Sequence, residues 1–148
     1  MSPQKPCALI IEDQINLSIV YSLAVERSGY EVVQALNGAD ALSMLRTFKP
    51  ALVLLDLELP FVDGETVLKE IHSMPELKET RIILATANAR LADFLQDQVD
   101  SVLIKPILYN QLFHMISRIR TAESSDFKPT SPLSNVESQS GMGDQALN

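Results

Sequence analysis

Residues Val53 to Gly64 read VLLDLELPFVDG. Three apolar residues run into Asp56, a second acid follows two places on, and a proline and an Asp-Gly pair close the stretch. A buried acid costs stability unless it is paired, hydrogen-bonded or bound to a metal, so an apolar run needs a reason to end on one. The carboxyl rim of a parallel sheet is a place where such acids are used. The fold turns on whether the rest of the chain supplies that sheet.

Upstream, CALIIE (Cys7 to Glu12) is another continuous apolar run ending on acid, as expected of a strand buried on both faces. The helix after it shows Ile15, Ile19 and Leu23 at every fourth position, with Val20 and Ala24 widening the stripe and Gly29 at its stop. EVVQA (Glu31 to Ala35) reads as a second strand. ADALSMLRTF (Ala39 to Phe48) reads as a second helix with Ala41, Leu42, Leu45 and Phe48 inward, closed by Pro50. ALVLLD (Ala51 to Asp56) is the most apolar strand and is expected at the centre. A third helix, capped by Asp63, turns Val67, Leu68 and Ile71 inward and ends at Pro75. RIILA (Arg81 to Ala85), a helix over ARLADFLQDQ, SVLI (Ser101 to Ile104) and LYNQLFHMISRI (Leu108 to Ile119) complete the alternation. The last helix is expected to carry Leu108, Leu112, Met115, Ile116 and Ile119 on one side.

Five strands alternating with five helices predict an α/β domain, a doubly wound five-stranded parallel sheet with both faces covered. Its crevice should lie beyond the carboxyl ends of the strands. The polar residues there are Glu12 and Asp13 after the first strand, Asp56 after the third, Thr86 after the fourth, and Lys105-Pro106 after the fifth. Three neighbouring acids would repel one another and raise each other's pKa values unless a hard divalent cation neutralised them. With Asp56 as nucleophile, Lys105 as a mobile cation and Thr86 as a hydroxyl donor, the set suits phosphoryl capture on a carboxylate. EDQIN follows the first strand where a glycine-rich phosphate loop would stand, so the phosphoryl group is expected from a small donor or a partner protein.

Over about Lys5 to Arg120 the chain closely resembles the receiver domain of bacterial two-component response regulators, of the stand-alone type. Glu12 and Asp13 fall on that family's acidic pair and Asp56 on its phosphoacceptor. Pro60 and Gly64 fall on the loop that follows, Thr86-Ala87 on the switch hydroxyl and its small neighbour, and Lys105-Pro106 on the Lys-Pro step. The resemblance implies a flavodoxin-like sheet of order 2-1-3-4-5 and a cis Lys105-Pro106 bond. It further implies Mg²⁺ (or Mn²⁺) on Asp13, Asp56 and the backbone carbonyl of Glu58, with Glu12 acting through water. The donor it implies is a sensor histidine kinase or a histidine phosphotransfer protein, and the signal passes to a downstream protein partner. Glu58 and Asn88 stand where the family places residues that tune phosphoryl lifetime. Val102 replaces the usual Tyr or Phe, and the segment from Thr86 to Lys105 is about three residues short, which marks the output surface as unusual.

Two other classes compete with this reading. One is a receiver-like scaffold that binds regardless of phosphate. The other is a small phosphatase of the haloacid-dehalogenase type, which Asp56-Leu57-Glu58 loosely mimics while lacking the second Asp, the first-strand nucleophile and a cap. A self-dephosphorylating phosphoacceptor rather than a turnover enzyme is the expectation. Net charge is −7, of which residues 123 to 148 carry −3, and the basic residues are scattered singly. No basic stripe forms, so nucleic acid is not an expected partner. With no apolar run of membrane length and a single cysteine, Cys7, a cytoplasmic location without membrane contact is expected, with at most a weak homodimer. Cys7 reads as a small hydrophobe, and His72 and His114 as surface residues without metal-ligand spacing. Tyr109 and Phe113 read as a packing pair. The domain is expected over 1–122, followed by a disordered Ser/Pro/Gly-rich acidic tail over 123–148.

Overall fold

The computed structural model describes residues 4–124. Strands β1 (Cys7–Ile11), β2 (Glu31–Ala35), β3 (Leu52–Asp56), β4 (Arg81–Thr86) and β5 (Ser101–Ile104) form one sheet of order β2-β1-β3-β4-β5. Every neighbouring pair is parallel, with Ile11 opposite Leu55 and Asp56 opposite Ala85. Helices α1 (Ile15–Arg27), α2 (Gly38–Leu45), α3 (Gly64–His72), α4 (Ala89–Leu95) and α5 (Tyr109–Ser124) make the crossovers. Short 3₁₀ turns follow at Pro75–Leu77 and Gln96–Gln98.

The continuous apolar runs are explained by the alternation of strand side chains between two covered faces. Leu9, Ile11, Val53, Leu55, Ile82 and Leu84 point into a core shared with α2, α3 and Leu95. Ala8, Ile10, Leu52, Leu54, Ile83 and Ala85 point the other way, against Tyr21 and Val25 of α1 and Leu112 and Ile116 of α5. All five residues of β3 are buried, consistent with its central place. Each fully buried Leu or Ile contributes roughly 1.5–3 kcal/mol, so the central strands hold the sheet together.

Local signals set the helix ends. The Asn37 side chain accepts from Asp40 N–H at 2.7 Å and starts α2, and Asp63 accepts from Thr66 N–H at 2.9 Å and starts α3. On α3, Val67, Leu68 and Ile71 are buried as expected. α2 ends at Leu45, and Phe48 packs against the core from the following loop. The helix expected over Ala89 to Gln98 is helical only to Leu95 and tightens into a 3₁₀ turn.

Helix α1 departs from expectation. Ile15, Ile19, Val20 and Leu23 are exposed, while Ser18, Tyr21, Ser22, Ala24 and Val25 are buried. The inward face combines Tyr21 and Val25 with Ser18, Ser22 and Ala24 and is partly polar; the Ser18 hydroxyl donates to Gln34 Oε1 of β2 at 2.8 Å. Leu108 likewise precedes α5 and is exposed, so it does not share the side of Leu112 and Ile116. Tyr109 and Phe113 stack at 6.2 Å between ring centroids.

α5 runs to Ser124, two residues past the expected domain end. Its last turns are anchored by Arg120, which donates from Nε to the Ser28 carbonyl at 3.3 Å and lies over the Tyr30 ring. The remainder of the expected tail lies outside the described residues. His72 and His114 are exposed, Cys7 is half-buried, and its thiol pKa is raised, chiefly by burial. No helix among the described residues is long and apolar enough to cross a membrane.

Candidate functional site

One backbone device places the site residues. At the carboxyl end of each contributing strand the ladder continues for one bond: Glu12 N–H to Ala35 carbonyl at 3.1 Å, Leu57 N–H to Ala85 at 2.9 Å, and Lys105 N–H to Thr86 at 2.8 Å. Glu12, Asp56 and Lys105 are thus held at the rim by main chain on rigid strands. The Lys105-Pro106 bond is cis.

Glu12, Asp13 and Asp56 converge, each offering a carboxylate oxygen within 4.8 Å of the others. Glu12 and Asp56 are buried and Asp13 is half-buried. Lys105 Nζ reaches Asp56 Oδ1 at 3.0 Å and Glu12 Oε1 at 3.5 Å. Asp56 Oδ1 also accepts from Glu58 N–H at 2.9 Å, and Glu12 Oε2 accepts from Gln14 N–H at 3.1 Å.

Burial is the main cause that raises the Glu12 pKa to about 7; the Gln14 N–H opposes it, Asp56 adds repulsion, and Lys105 offsets part of that. At Lys105, burial alone would lower the pKa, but the hydrogen bond and charge of Asp56, with the charge of Glu12, outweigh it and raise the value. One ammonium therefore faces two carboxyl groups, Asp56 and Glu12, with Asp13 the third acid of the cluster. Among the described residues, Asp56 Oδ2 is buried without a hydrogen-bond partner, and Glu12 Oε1 is buried with only its 3.5 Å ion pair to Lys105. An all-oxygen cluster with excess negative charge and an unpaired buried acceptor fits a hard divalent cation.

Thr86 ends β4, one residue beyond the register partner of Asp56. Its hydroxyl accepts from Asn88 N–H at 3.0 Å and donates to Glu58 Oε2 at 2.5 Å. Ala87 N–H donates to the other oxygen of that carboxylate, Glu58 Oε1, at 3.1 Å. The Glu58 side chain therefore lies on the Thr86 side and is not one of the three converging acids. Any share it takes in holding a cation falls to its backbone, as the resemblance implied. The Asn88 side chain caps α4 through Leu91 N–H at 3.1 Å, so its amide is aimed along that helix.

Val102 is half-buried and packs against the core shared with α2 and α3. Gly64 approaches the end of β3 so closely that a Cβ there would lie 2.5 Å from Leu57 Cα and 2.6 Å from the Asp56 carbonyl oxygen. In the loop between Asp56 and Gly64, Pro60 is exposed, and Phe61 is almost fully exposed with φ of 66°. The sequence assigns Phe61 no such place, and it places Glu58 near the site without joining its side chain to Thr86 and Ala87. A bulky residue carries no signal for positive φ, and the Glu58 contact crosses between two strands.

Comparison with known proteins places this geometry. Residues 8–117 match the model of the response regulator receiver domain. The polar-differentiation response regulator DivK of Brucella anthropi is 35% identical over 103 residues, covering 67% of this chain and 83% of that protein. The DNA-binding dual master transcriptional regulator RpaA of Synechocystis is 31% identical over 118 residues, 78% of this chain, and the chain spans 48% of that longer protein. The crystal structure of the phosphorylated cyanobacterial phytochrome response regulator RcpA superimposes with a TM-score of 0.69 at 27% identity, covering 86% of this chain and all of that one.

Proposed function

The chain belongs to the response regulator receiver domain family and is a phosphoacceptor of two-component signalling, and on that premise we propose that Asp56 is the residue that takes the phosphoryl group. The observation that carries this reading is the convergence of Asp56 with Glu12, Asp13 and Lys105 at the carboxyl ends of the strands. Asp56 Oδ1 is tethered by Lys105 and the Glu58 N–H, while Oδ2 is buried and makes no hydrogen bond among the described residues.

The donor is a phosphohistidine on a kinase or phosphotransfer protein. The bond between an Asp56 carboxylate oxygen and phosphorus forms as the P–N bond breaks, and the electron pair leaves with the imidazole, which is then protonated. Lys105 is placed to turn from Asp56 to a phosphoryl oxygen, and the Thr86 hydroxyl to donate to another. Asp13 and Asp56, with Glu12 behind them and the Glu58 carbonyl, are the groups that would hold Mg²⁺ or Mn²⁺. Such an ion supplies neutralisation of carboxylate and phosphoryl charge in one place. The exposed stripe of Ile15, Ile19 and Leu23 on α1 starts beside the acidic pair and offers an apolar face to the donor's helix. The location this function fits is the cytoplasm, and the output is a contact with another protein.

Intact-mass measurement of purified protein given Mg²⁺ and acetyl phosphate tests the assignment. One added phosphoryl group is expected on the native chain and none on D56N. Equal labelling of D56N, or no labelling of either, overturns it.

A further inference from the structure

We infer that the Glu58 side chain is an internal occupant of the phosphoryl-binding donors, a latch that phosphorylation of Asp56 must displace. The inference rests on the phosphoacceptor reading above and deepens it.

Two donors converge on one carboxylate. The Thr86 hydroxyl meets Glu58 Oε2 at 2.5 Å and Ala87 N–H meets Oε1 at 3.1 Å. An O–H and an N–H on adjacent residues, aimed at the two oxygens of one anion, form a small oxyanion cradle. The cradle sits at the end of β4, next to the register partner of Asp56, and neighbouring strands are only about 4.8 Å apart. A phosphoryl group on Asp56 therefore reaches the same donors. Thr86 is fully buried, and its hydroxyl has a single proton, which it now gives to Glu58. That proton cannot serve Glu58 and a phosphoryl oxygen together.

The competition is between like charges. A phosphoryl group brings up to two negative charges to the cradle, and a carboxylate in the same place is repelled as well as displaced. Glu58 is attached two residues from Asp56 and its N–H is held by Asp56 Oδ1, so only its side chain has to leave. Glu58 is an exposed residue with solvent to receive the released carboxylate. The moving part is an acid that swings from Thr86 to solvent. Glu58 acts here as a positioning residue, through Thr86 and Ala87.

The test separates reach from charge. E58A removes the latch; E58D keeps the charge but is one methylene shorter, so it cannot hold both donors; E58Q keeps the length and loses the charge. Phosphorylation by acetyl phosphate with Mg²⁺ is followed by intact mass. E58A and E58D are expected to label about tenfold faster than the native chain, the factor that about 1.4 kcal/mol of displaced hydrogen bonding represents. The Ala87 amide resonance gives a second readout. On adding beryllofluoride it should move little in the native chain, which exchanges one anionic acceptor for another, and much more in E58A. Native-like labelling of E58D with fast labelling of E58Q would show a charge effect alone and overturn the latch. Equal rates in all four proteins would also overturn it while leaving the Asp56 assignment intact. Absence of labelling in every variant would overturn both.

Discussion

Gly64 is the point where fold and chemistry press hardest on each other. Its φ lies outside the left-handed region, so conformational freedom does not explain the glycine; space does. In Gly64→Ala the new methyl would sit 2.5 Å from Leu57 Cα and 2.6 Å from the Asp56 carbonyl oxygen, where relaxed contacts need roughly 3.5–4.0 Å. Both obstacles are backbone, so relief must come from moving α3 or the end of β3. Overpacking of this kind costs about 1–3 kcal/mol, and the helix-propensity gain of alanine is small at the first helical position. A loss of about 2 kcal/mol is expected, or a fall in Tm of roughly 6–10 °C for a domain of this size. Because the carbonyl that is struck belongs to Asp56, labelling by acetyl phosphate should slow as well. Gly29→Ala is the control: Gly29 has φ of 103° and faces the Arg120 side chain, far along the chain from the acids. It should lower stability and leave labelling unchanged. Urea unfolding and intact-mass labelling measure both quantities. A G64A protein within about 0.5 kcal/mol of native, with native labelling, would refute the packing argument.

Three further outcomes are expected. The folded Glu12 keeps its proton to about pH 7 against an ordinary 4.5. Ion-free protein should therefore lose stability as pH rises through that window, by at most about 3 kcal/mol, and E12Q should flatten the slope; a urea midpoint in chelator that rises across the window contradicts this. Ile19→Asp on the exposed face of α1 should change stability by less than about 0.5 kcal/mol, while Val25→Ala on the buried face should cost about 2 kcal/mol, and the reverse order would mean that α1 is turned the other way. Asp63→Ala should cost about 1 kcal/mol through loss of the cap on Thr66 N–H, and hydrogen exchange at the start of α3 should report it locally.

The three inner strands β1, β3 and β4 are legible in the chain because a doubly covered strand needs apolar side chains at nearly every position, and little else in a small domain demands such runs. The rim residues are legible for the same reason: once each run is known, the polar group that ends it stands out. Helix α1 shows where this logic stops. Its repeat of Ile15, Ile19 and Leu23 is the most regular apolar pattern in the segment, yet the face that packs is Ser18, Tyr21, Ser22, Ala24 and Val25. Periodicity reports that apolar residues share a face but not which neighbour covers it. Glu58 shows a different limit. Its partners Thr86 and Ala87 lie at the end of another strand and just beyond it, so only the pairing of Asp56 with Ala85 brings them together. The strand order makes that contact inferable, whereas the rotamer that completes it has no signature in a linear pattern.

The pinning of Glu12, Asp56 and Lys105 at the ends of three different strands bears on how the protein matures. No two of these residues are neighbours in the chain, and β3 lies between β1 and β4, so each pairing closes a long loop. Contacts between distant segments are the slow part of folding, since loop closure must precede any gain from pairing. A nascent or partly unravelled chain holds a carboxylate, a second carboxylate and an amine with no common geometry. Competence to receive a signal is therefore acquired in one cooperative event, when the sheet closes. Foldedness is checked by the same chemistry that carries the message, and an immature copy contributes silence rather than a false positive.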